Sequence, residues 1–456
     1  MTVPVDGLAC IRRTGMTLKP KRGKEESNVY LSVRSSSLRG DIRIPASKSH
    51  TIRGVLVGLL AEGTSTVRHP LDAADTLSAV RCAEALGAIV DRQEDRWIVH
   101  GTGGQLPSSP VSLDVGNSGT TLGNLIGVCA TGTVPITLDG DASIRTRPYD
   151  PLLASLRELG AVVESSGPRG TAPIAIHGPL LGGSARVDGT TSIYLTPLLV
   201  ASPRVTGDTV LTVDGTMNEK GYVRMTLDWL RAAGIEVDAN DDLTHMTIRG
   251  NQAYRPVDRA VAADFSSAAF PACAAMLAAD PEVTLLGLDF SDAQGDKQVF
   301  EHLRRMGASF EIDGATVRIP RATCLQGIRM DLSDTPDALP MLAVVGCFAE
   351  GETWLDNVAM ARIKETDRIA VMCTELRKMG ADVEERPDGL IVRKSTLHGA
   401  RVDGHDDHRV VMALAVAGLL AEGETIIDSA ESVRITYPTF LESMRALGAD
   451  MTGHEN

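Results

Sequence analysis

The chain has 456 residues, more than one hydrophobic core usually supports, and its 43% hydrophobic and 23% charged residues are those of a globular protein of two domains. A net charge of −14 sets the surface against nucleic acid and anionic membranes, so neither is expected as a partner, and an anionic substrate needs a local cluster of Lys and Arg. No apolar run reaches the roughly 18 residues that span a bilayer, and the seven cysteines show no metal-ligand spacing, so buried thiols in a reducing cytoplasm are expected.

In chain order, residues 1–31 are mixed in charge and polar from Lys19 to Glu26, without the apolar core of a signal peptide; a flexible extension is expected. A strand follows over Gly40–Ile44, then Pro45-Ala46-Ser47-Lys48-Ser49-His50-Thr51-Ile52-Arg53. A helix starting near Ser47 would point free N–H groups at an anion, while a Ser cap with solvated Lys and Arg is the competing reading. Leu113 to Thr121 reads as a strand ending in a Gly/Ser/Asn/Thr turn that opens the apolar helix Leu122–Cys129. Its glycines allow close backbone approach to an anion, though no Walker lysine follows. Further on, Met341–Phe348 reads as a buried helix and Glu352–Asp356 as a strand.

Ile363-Lys364-Glu365-Thr366-Asp367-Arg368 leads into a helix predicted over Asp367–Met379. Lys364 and Arg368 share a helical face, and a carboxylate among cations can trade a proton while they hold an anion. His405-Asp406-Asp407-His408-Arg409 precedes a helix predicted over Val410–Leu420. Its spacing fits no zinc pattern, and Arg409 would oppose a cation, so no metal is expected.

One phrase, a helix end followed by Gly and a strand start, recurs six times, with its glycine at 87, 160, 234, 307, 380 and 448. Near-constant spacing means one α/β unit copied six times, read as two pseudo-threefold domains.

Together the four motifs resemble the PGxKSxSxR, GNxGTxxR, KE[ST]DR and DHR segments of the 5-enolpyruvylshikimate-3-phosphate (EPSP) synthase family. Supporting matches run along nearly the whole chain from about Ser32: Asp141–Pro148, Ala263–Ala269, Asp331–Asp337 and Ser432–Leu441. The sister family acting on UDP-N-acetylglucosamine carries a reactive Cys before its phosphate-binding Arg, and Asp141–Pro148 has none.

The resemblance implies a two-domain inside-out α/β barrel of six βαβαββ-like repeats, three per domain, with helices inside and sheets outside. Residues 46–262 would form one domain, and 32–45 with 263–456 the other. It further implies enolpyruvyl transfer from phosphoenolpyruvate to a hydroxyl of a shikimate-3-phosphate-like cyclic acceptor, releasing phosphate, by a cytoplasmic monomer without metal or organic cofactor. Carried over by motif, Lys48, Arg147, Arg368 and Arg409 would grip phosphoenolpyruvate, with Asn117 and Gly119 shaping its pocket. Asp337 would orient or deprotonate the acceptor hydroxyl and Glu365 would handle the C3 proton, with Lys48 beside them. Ser49, Arg53, Thr191, Ser192, Ile193, Tyr222, Asp337 and Lys364 would face the acceptor.

The chain departs from the family's pattern at Ala46, Gly123 (for Arg), Ile193 (for Gln), Glu219 (for a phosphate-binding Ser) and Ile435 (for a frequent Lys). Gly123 would leave Asp264 without a cation, and Glu219 would oppose a ring phosphate, so shikimate 3-phosphate is expected to be a poor acceptor. Two other readings follow. One is a paralogue acting on a different shikimate- or cyclitol-derived ring, by transfer or elimination. The other is a catalytically silent anion-binding protein, against which the retention of Asp337, Glu365 and Arg368 argues.

Overall fold

The computed structural model describes residues 29–455. Of the extension expected over 1–31, residues 1–28 lie outside the described residues. The last three do not belong to it: the strand Val29–Arg34 pairs antiparallel with Glu424–Asp428 on one side and Asp450–Glu455 on the other. Alternating Leu31 and Val33 are buried in the core, which is what draws this stretch into the sheet.

Among the described residues the strands form six four-stranded sheets of one design. In one unit the strand Val111–Asp114 leads through the helix Gly119–Cys129 to a parallel neighbour, Ile136–Asp139. The helix Asp150–Glu158 then leads to the antiparallel strands Val162–Ser165 and Ile174–His177. This is βαβαββ. The first helix of each unit is buried nearly all round and mostly apolar beyond its first turn, as befits a helix with no face in water. Phe265–Ala278, Leu339–Gly346 and His408–Gly418 are buried at every residue, and Lys48–Leu60 at all but Lys48. The second helices, such as Lys220–Ala232, keep a polar face outward. Helices therefore line the inside and sheets the outside.

The repeating glycine ends a helix in all six units. Gly87, Gly160, Gly234, Gly307, Gly380 and Gly448 have φ between +78° and +106°, the left-handed region that glycine adopts without strain. The predicted helices shift by a residue or three: Asp367 is the cap of Arg368–Lys378, and Asp407 the cap of His408–Gly418.

Besides the unit that Val29–Arg34 completes, two more take a strand from elsewhere in the chain. Leu38–Arg43 runs parallel to Ala279–Leu286, and Asp258–Ala260 runs parallel to Thr64–Arg68. The buried apolar side chains accordingly form two clusters, one drawn from residues 52–257 and one from 31–44 with 263–451. The chain passes between them at 44–48 and 260–265, and the two passages lie side by side. Ala46 bridges Ala263, Ser47 N–H donates to the Ala262 carbonyl at 2.8 Å, and Asp264 N–H to the Pro45 carbonyl at 2.8 Å. We propose that these passages bound the domains 46–262 and 32–45 plus 263–456 and form their hinge.

One inner packing decides the shape of the site. Along the helix Gly119–Cys129, Gly123 and Gly127 face Ile193 and Pro197 of the helix Ser192–Ala201. A Cβ on Gly127 would lie 2.3 Å from the Pro197 carbonyl oxygen, and one on Gly123 2.6 Å from Ile193 Cγ1. Gly127→Ala gains up to about 1 kcal/mol of helix propensity but meets rigid backbone, so overpacking of about 1–3 kcal/mol should win. A lowered urea midpoint for Gly127→Ala is expected, and an unchanged or raised one would contradict this packing.

Candidate active site

A cleft of about 980 Å³, open to solvent, lies between the two cores beside the paired passages. All six inner helices begin at it. Lys48 and Ser49, Gly119 and Thr120, Ser192 and Ile193, Asp264 and Ser266, Asp337 and Arg409 line it from their first turns or the turns just before. The side chains of Ser47, Ser118, Thr191, Asp264 and Asp407 cap five of these helices. The positive ends of the helix dipoles thus point at a common space.

Three of the expected anion-gripping cations face the cleft. Lys48 Nζ lies 3.1 Å from Asp75. Arg147 donates through Nη2 to Asn117 Oδ1 at 3.0 Å and Ser143 Oγ at 3.1 Å, and stands 3.6 Å from Glu365. It lies against Gly119, where a Cβ would come within 2.5 Å of Nη1 and would push the guanidinium from this position. Arg409 reaches Asp337 at 2.9 Å.

Arg368 does not line the cleft. Its side chain is fully buried one layer behind, where Nε and Nη2 donate to Asp407 at 2.7 and 3.2 Å, Nη1 to Asp337 at 2.7 Å and Nη2 to Glu365 at 2.6 Å. Expected to grip substrate, it is engaged here by three carboxylates, which its five-donor fork can serve at once; Arg409 also meets Asp337, and Arg147 stands near Glu365. Asn117 is likewise a support for Arg147, tied on its other side to Asp141 at 2.7 Å.

Both expected catalytic carboxylates are ionised. Burial would raise Glu365, but Arg368, Arg147, His408 and Lys48 hold it well below the usual range. Burial would also raise Asp337, and Arg409, Lys364 and Arg368 outweigh it. A third carboxylate, Asp296, gave no signal in sequence, being one acid in Gly295-Asp296-Lys297. It is buried beneath the cleft, and Tyr222 joins the two acids, its hydroxyl 2.9 Å from Asp296 and 3.4 Å from Asp337. Burial, then the charge of Asp337, pushes Asp296 up to about 7 against the pull of Arg409. Asp75, the partner of Lys48, was missed for the same reason.

In the fourth motif, His405 turns outward to Glu375 at 3.0 Å, while His408 is fully buried and its pKa is driven well down by burial and then by Arg409. Among the described residues no group of three or more His, Cys, Asp or Glu is placed to hold a metal ion. Nor is any described helix long and apolar enough to cross a membrane.

The acceptor side is where the sequence departs from the family's pattern. Ser49, Arg53, Thr191, Ser192, Ile193, Tyr222 and Lys364 all line the cleft. Arg53 is nonetheless buried, held by Thr226 at 2.8 Å and by the carbonyls of Ser49 and Tyr222. Glu219 stands among them, and Thr191, Ser192 and Lys364 all bind its carboxylate. Ile193 rests over Gly123, so two departures are one packing pair. Asp264, expected to lack a partner, caps its helix through Ser267 N at 3.1 Å and Oγ at 2.6 Å. Ile435 is not part of the lining.

Comparison with known proteins agrees with this architecture. The profile of the family described as EPSP synthase (3-phosphoshikimate 1-carboxyvinyltransferase) matches residues 33–444. The 3-phosphoshikimate 1-carboxyvinyltransferase of Acetivibrio thermocellus is 47% identical over 424 residues, 93% of this chain and 99% of the relative. That of Methanothrix thermoacetophila is 44% identical over 427 residues, 93% and 99%. Among solved structures, EPSP synthase from Acinetobacter baumannii superposes with a TM-score of 0.78 at 28% identity, covering 94% of this chain and 100% of that one. The enolpyruvyl transferase NikO from Streptomyces tendae shares the fold at a TM-score of 0.75 and 17% identity, covering 94% and 100%. With an inside-out fold of six units, a cationic interdomain cleft and a family profile matched over nearly its whole length, the chain belongs to the EPSP synthase family.

Proposed function

We propose that the chain is a carboxyvinyl transferase that moves the enolpyruvyl group of phosphoenolpyruvate to a hydroxyl of a shikimate-3-phosphate-like cyclic acceptor. The observation that carries this is the convergence of Lys48, Arg147 and Arg409 with Glu365 and Asp337 on one cleft, in a chain whose relatives are 3-phosphoshikimate 1-carboxyvinyltransferases. The acceptor oxygen bonds to C2 of phosphoenolpyruvate, losing its proton, while C3 gains one. C3 then loses a proton as the C2–O bond to phosphate breaks, leaving the enol ether and inorganic phosphate. No metal or organic cofactor enters this scheme.

Lys48, Arg147 and Arg409 hold the carboxylate and phosphate, with Gly119 giving the backbone approach, because fork and ammonium donors match those oxygens. Arg368 and Asn117 keep Glu365, Asp337 and Arg147 in place. Glu365, between Arg147 and Arg368, exchanges the C3 proton. Asp337 is a weak base while Arg409 and Lys364 face it unengaged by substrate. An anionic ligand that takes up the charge of Arg409 raises its basicity toward the acceptor hydroxyl. Ser49, Arg53, Thr191, Ser192, Ile193, Tyr222 and Lys364 frame the ring. A cytoplasmic, monomeric enzyme is part of this reading, supported by the acidic surface and by free thiols at Cys82, Cys129, Cys273, Cys347 and Cys373, all buried.

Arg409→Ala and Arg147→Ala should each weaken phosphoenolpyruvate binding by roughly tenfold to a hundredfold, the loss of about 1.5–3 kcal/mol from a charged contact. Arg368→Ala should behave differently. Removing the guanidinium takes the ion-pair partner from buried Asp407 and one of two from Glu365 and Asp337, which should cost on the order of 3–5 kcal/mol of stability. Urea unfolding and calorimetry separate the two: a fully stable Arg368→Ala protein would refute the supporting role.

Glu365→Gln should lower kcat by roughly 10²–10⁴-fold, the usual worth of a positioned acid–base group, with phosphoenolpyruvate still bound. Phosphate release is the measurement, and near-normal turnover would remove Glu365 from the proton path.

Asp296 supplies a pH signature. Its native value, raised to about 7, lies above the unfolded carboxyl value of about 3.9, so the folded state holds the extra proton. The stability it contributes is full below about pH 4 and is lost as pH rises through about 7. Asp296→Asn should therefore shrink the drop in urea midpoint between pH 5 and pH 8. An equal drop in variant and wild type would show that another group titrates.

A further inference from the structure

The acceptor side of the cleft contains an anion that belongs to the protein. The carboxylate of Glu219 receives four donors: Thr191 Oγ1 at 2.6 Å, Ser192 N at 2.9 Å and Ser192 Oγ at 2.8 Å on Oε2, and Lys364 Nζ at 2.6 Å on Oε1. Two hydroxyls, an amide at a helix N-terminus and an ammonium are the donors a phosphate monoester would need. Here they are already used. Lys364 is the cation they share, and its pKa is raised: burial alone would lower it, and Glu219 and Asp337 reverse the effect.

Glu219 is also fixed in place. Its side chain is 2% exposed, and its backbone stands in the left-handed region at φ +55°, a strained setting for glutamate. Two contacts from the other domain hold it there: Glu219 N–H donates to the Ser333 carbonyl at 3.2 Å, and the next amide, Lys220 N–H, to Asp334 Oδ1 at 2.9 Å. Gly221 then abuts Gly295, where a Cβ would meet the Gly295 nitrogen at 2.4 Å. Backbone anchored on both sides leaves the carboxylate no ready route out of the pocket.

A second, independent feature points the same way. Ile193, seated over Gly123, presents carbon to the cleft, which Met360 and Ile363 also line. A ring hydroxyl laid against it would lose its hydrogen bonds to water without replacement.

We propose that Glu219 is a built-in anion that occupies the acceptor's phosphate subsite, so that the chain selects a ring alcohol bearing no anionic group at that position. The inference rests on the acceptor side of the function proposed above and narrows its substrate class. A phosphorylated ring would have to displace or protonate a buried, four-fold bonded carboxylate. An unphosphorylated ring meets a site whose charge is already balanced.

The test is calorimetric binding of shikimate 3-phosphate and of shikimate to the wild type, Glu219→Ser and Glu219→Gln, with folding checked by circular dichroism. The wild type is expected to bind shikimate 3-phosphate no tighter than shikimate. Glu219→Ser, which frees the donors, should bind shikimate 3-phosphate at least tenfold tighter than the wild type does, with no such gain for shikimate. Wild-type binding of shikimate 3-phosphate tenfold or more tighter than shikimate overturns the proposal, as does a folded Glu219→Ser protein that gains nothing. Should both variants fail to fold, the wild-type comparison decides alone. Phosphate release from phosphoenolpyruvate with a panel of unphosphorylated ring alcohols runs beside it. Absence of release with every ring counts against the transferase reading, while the binding comparison still decides the role of Glu219.

Discussion

Everything at this site depends on one constraint: six helix N-termini are aimed at the same cleft. Each brings unsatisfied N–H groups and the positive end of a dipole, and five are closed by a side-chain cap. Such a convergence is stable only if anions meet it. Within the cleft those anions are the protein's own carboxylates: Asp75 at Lys48, Glu365 beside Arg147, Asp337 at Arg409 and Glu219 at Lys364. At Lys48, Arg147 and Arg409 the site is thus poised for exchange, with anionic substrate taking over donors that carboxylates now hold, whereas Glu219 stays bound to Lys364.

Arg368 makes that exchange specific. By tying Asp407, Asp337 and Glu365 to one buried guanidinium, it fixes the distance between the two carboxylates assigned to chemistry. It also lowers their proton affinity, so both start ionised among cations. A lysine could not do this, because a point charge has no planar fork to span three partners. One layer down, Asp296 is linked to Asp337 through Tyr222, and burial with the charge of Asp337 raises its proton affinity.

The two halves of the cleft differ in character. The half built from Lys48, Arg147 and Arg409 has cations whose carboxylate partners a ligand can replace. In the other half Glu219 is nearly closed off from solvent and anchored through its backbone, and Ile193 presents carbon. Gly123 and Ile193 are compatible because each makes room for the other: a side chain at 123 would collide with Ile193. Changes that read as separate losses along the chain are, in space, a repacked wall and a self-neutralised pocket.

The amino-acid sequence by itself determined the repeating unit, because its signals are local: a glycine that must be left-handed, an apolar helix, a capping Ser or Asp, each repeated at a nearly constant interval. It also determined the four charged motifs, and through them the family and the identity of most residues around the cleft. It could not distinguish a cation that faces the cleft from one buried behind it, since Arg368 and Arg409 look alike in a string. It gave no sign of Asp296 or Asp75, lone acids whose roles come from partners 41 positions away at Asp337 and 27 at Lys48. The strand Val29–Arg34 was hidden as well, because its pairing partners lie at the opposite end of the chain. Above all, Glu219 read as a charge facing an absent phosphate. Only the tertiary structure, by bringing Thr191, Ser192 and Lys364 to its carboxylate, decided that the charge is satisfied from within. Burial and long-range pairing set the meaning of a charged residue, and neither is encoded by its neighbours in the chain.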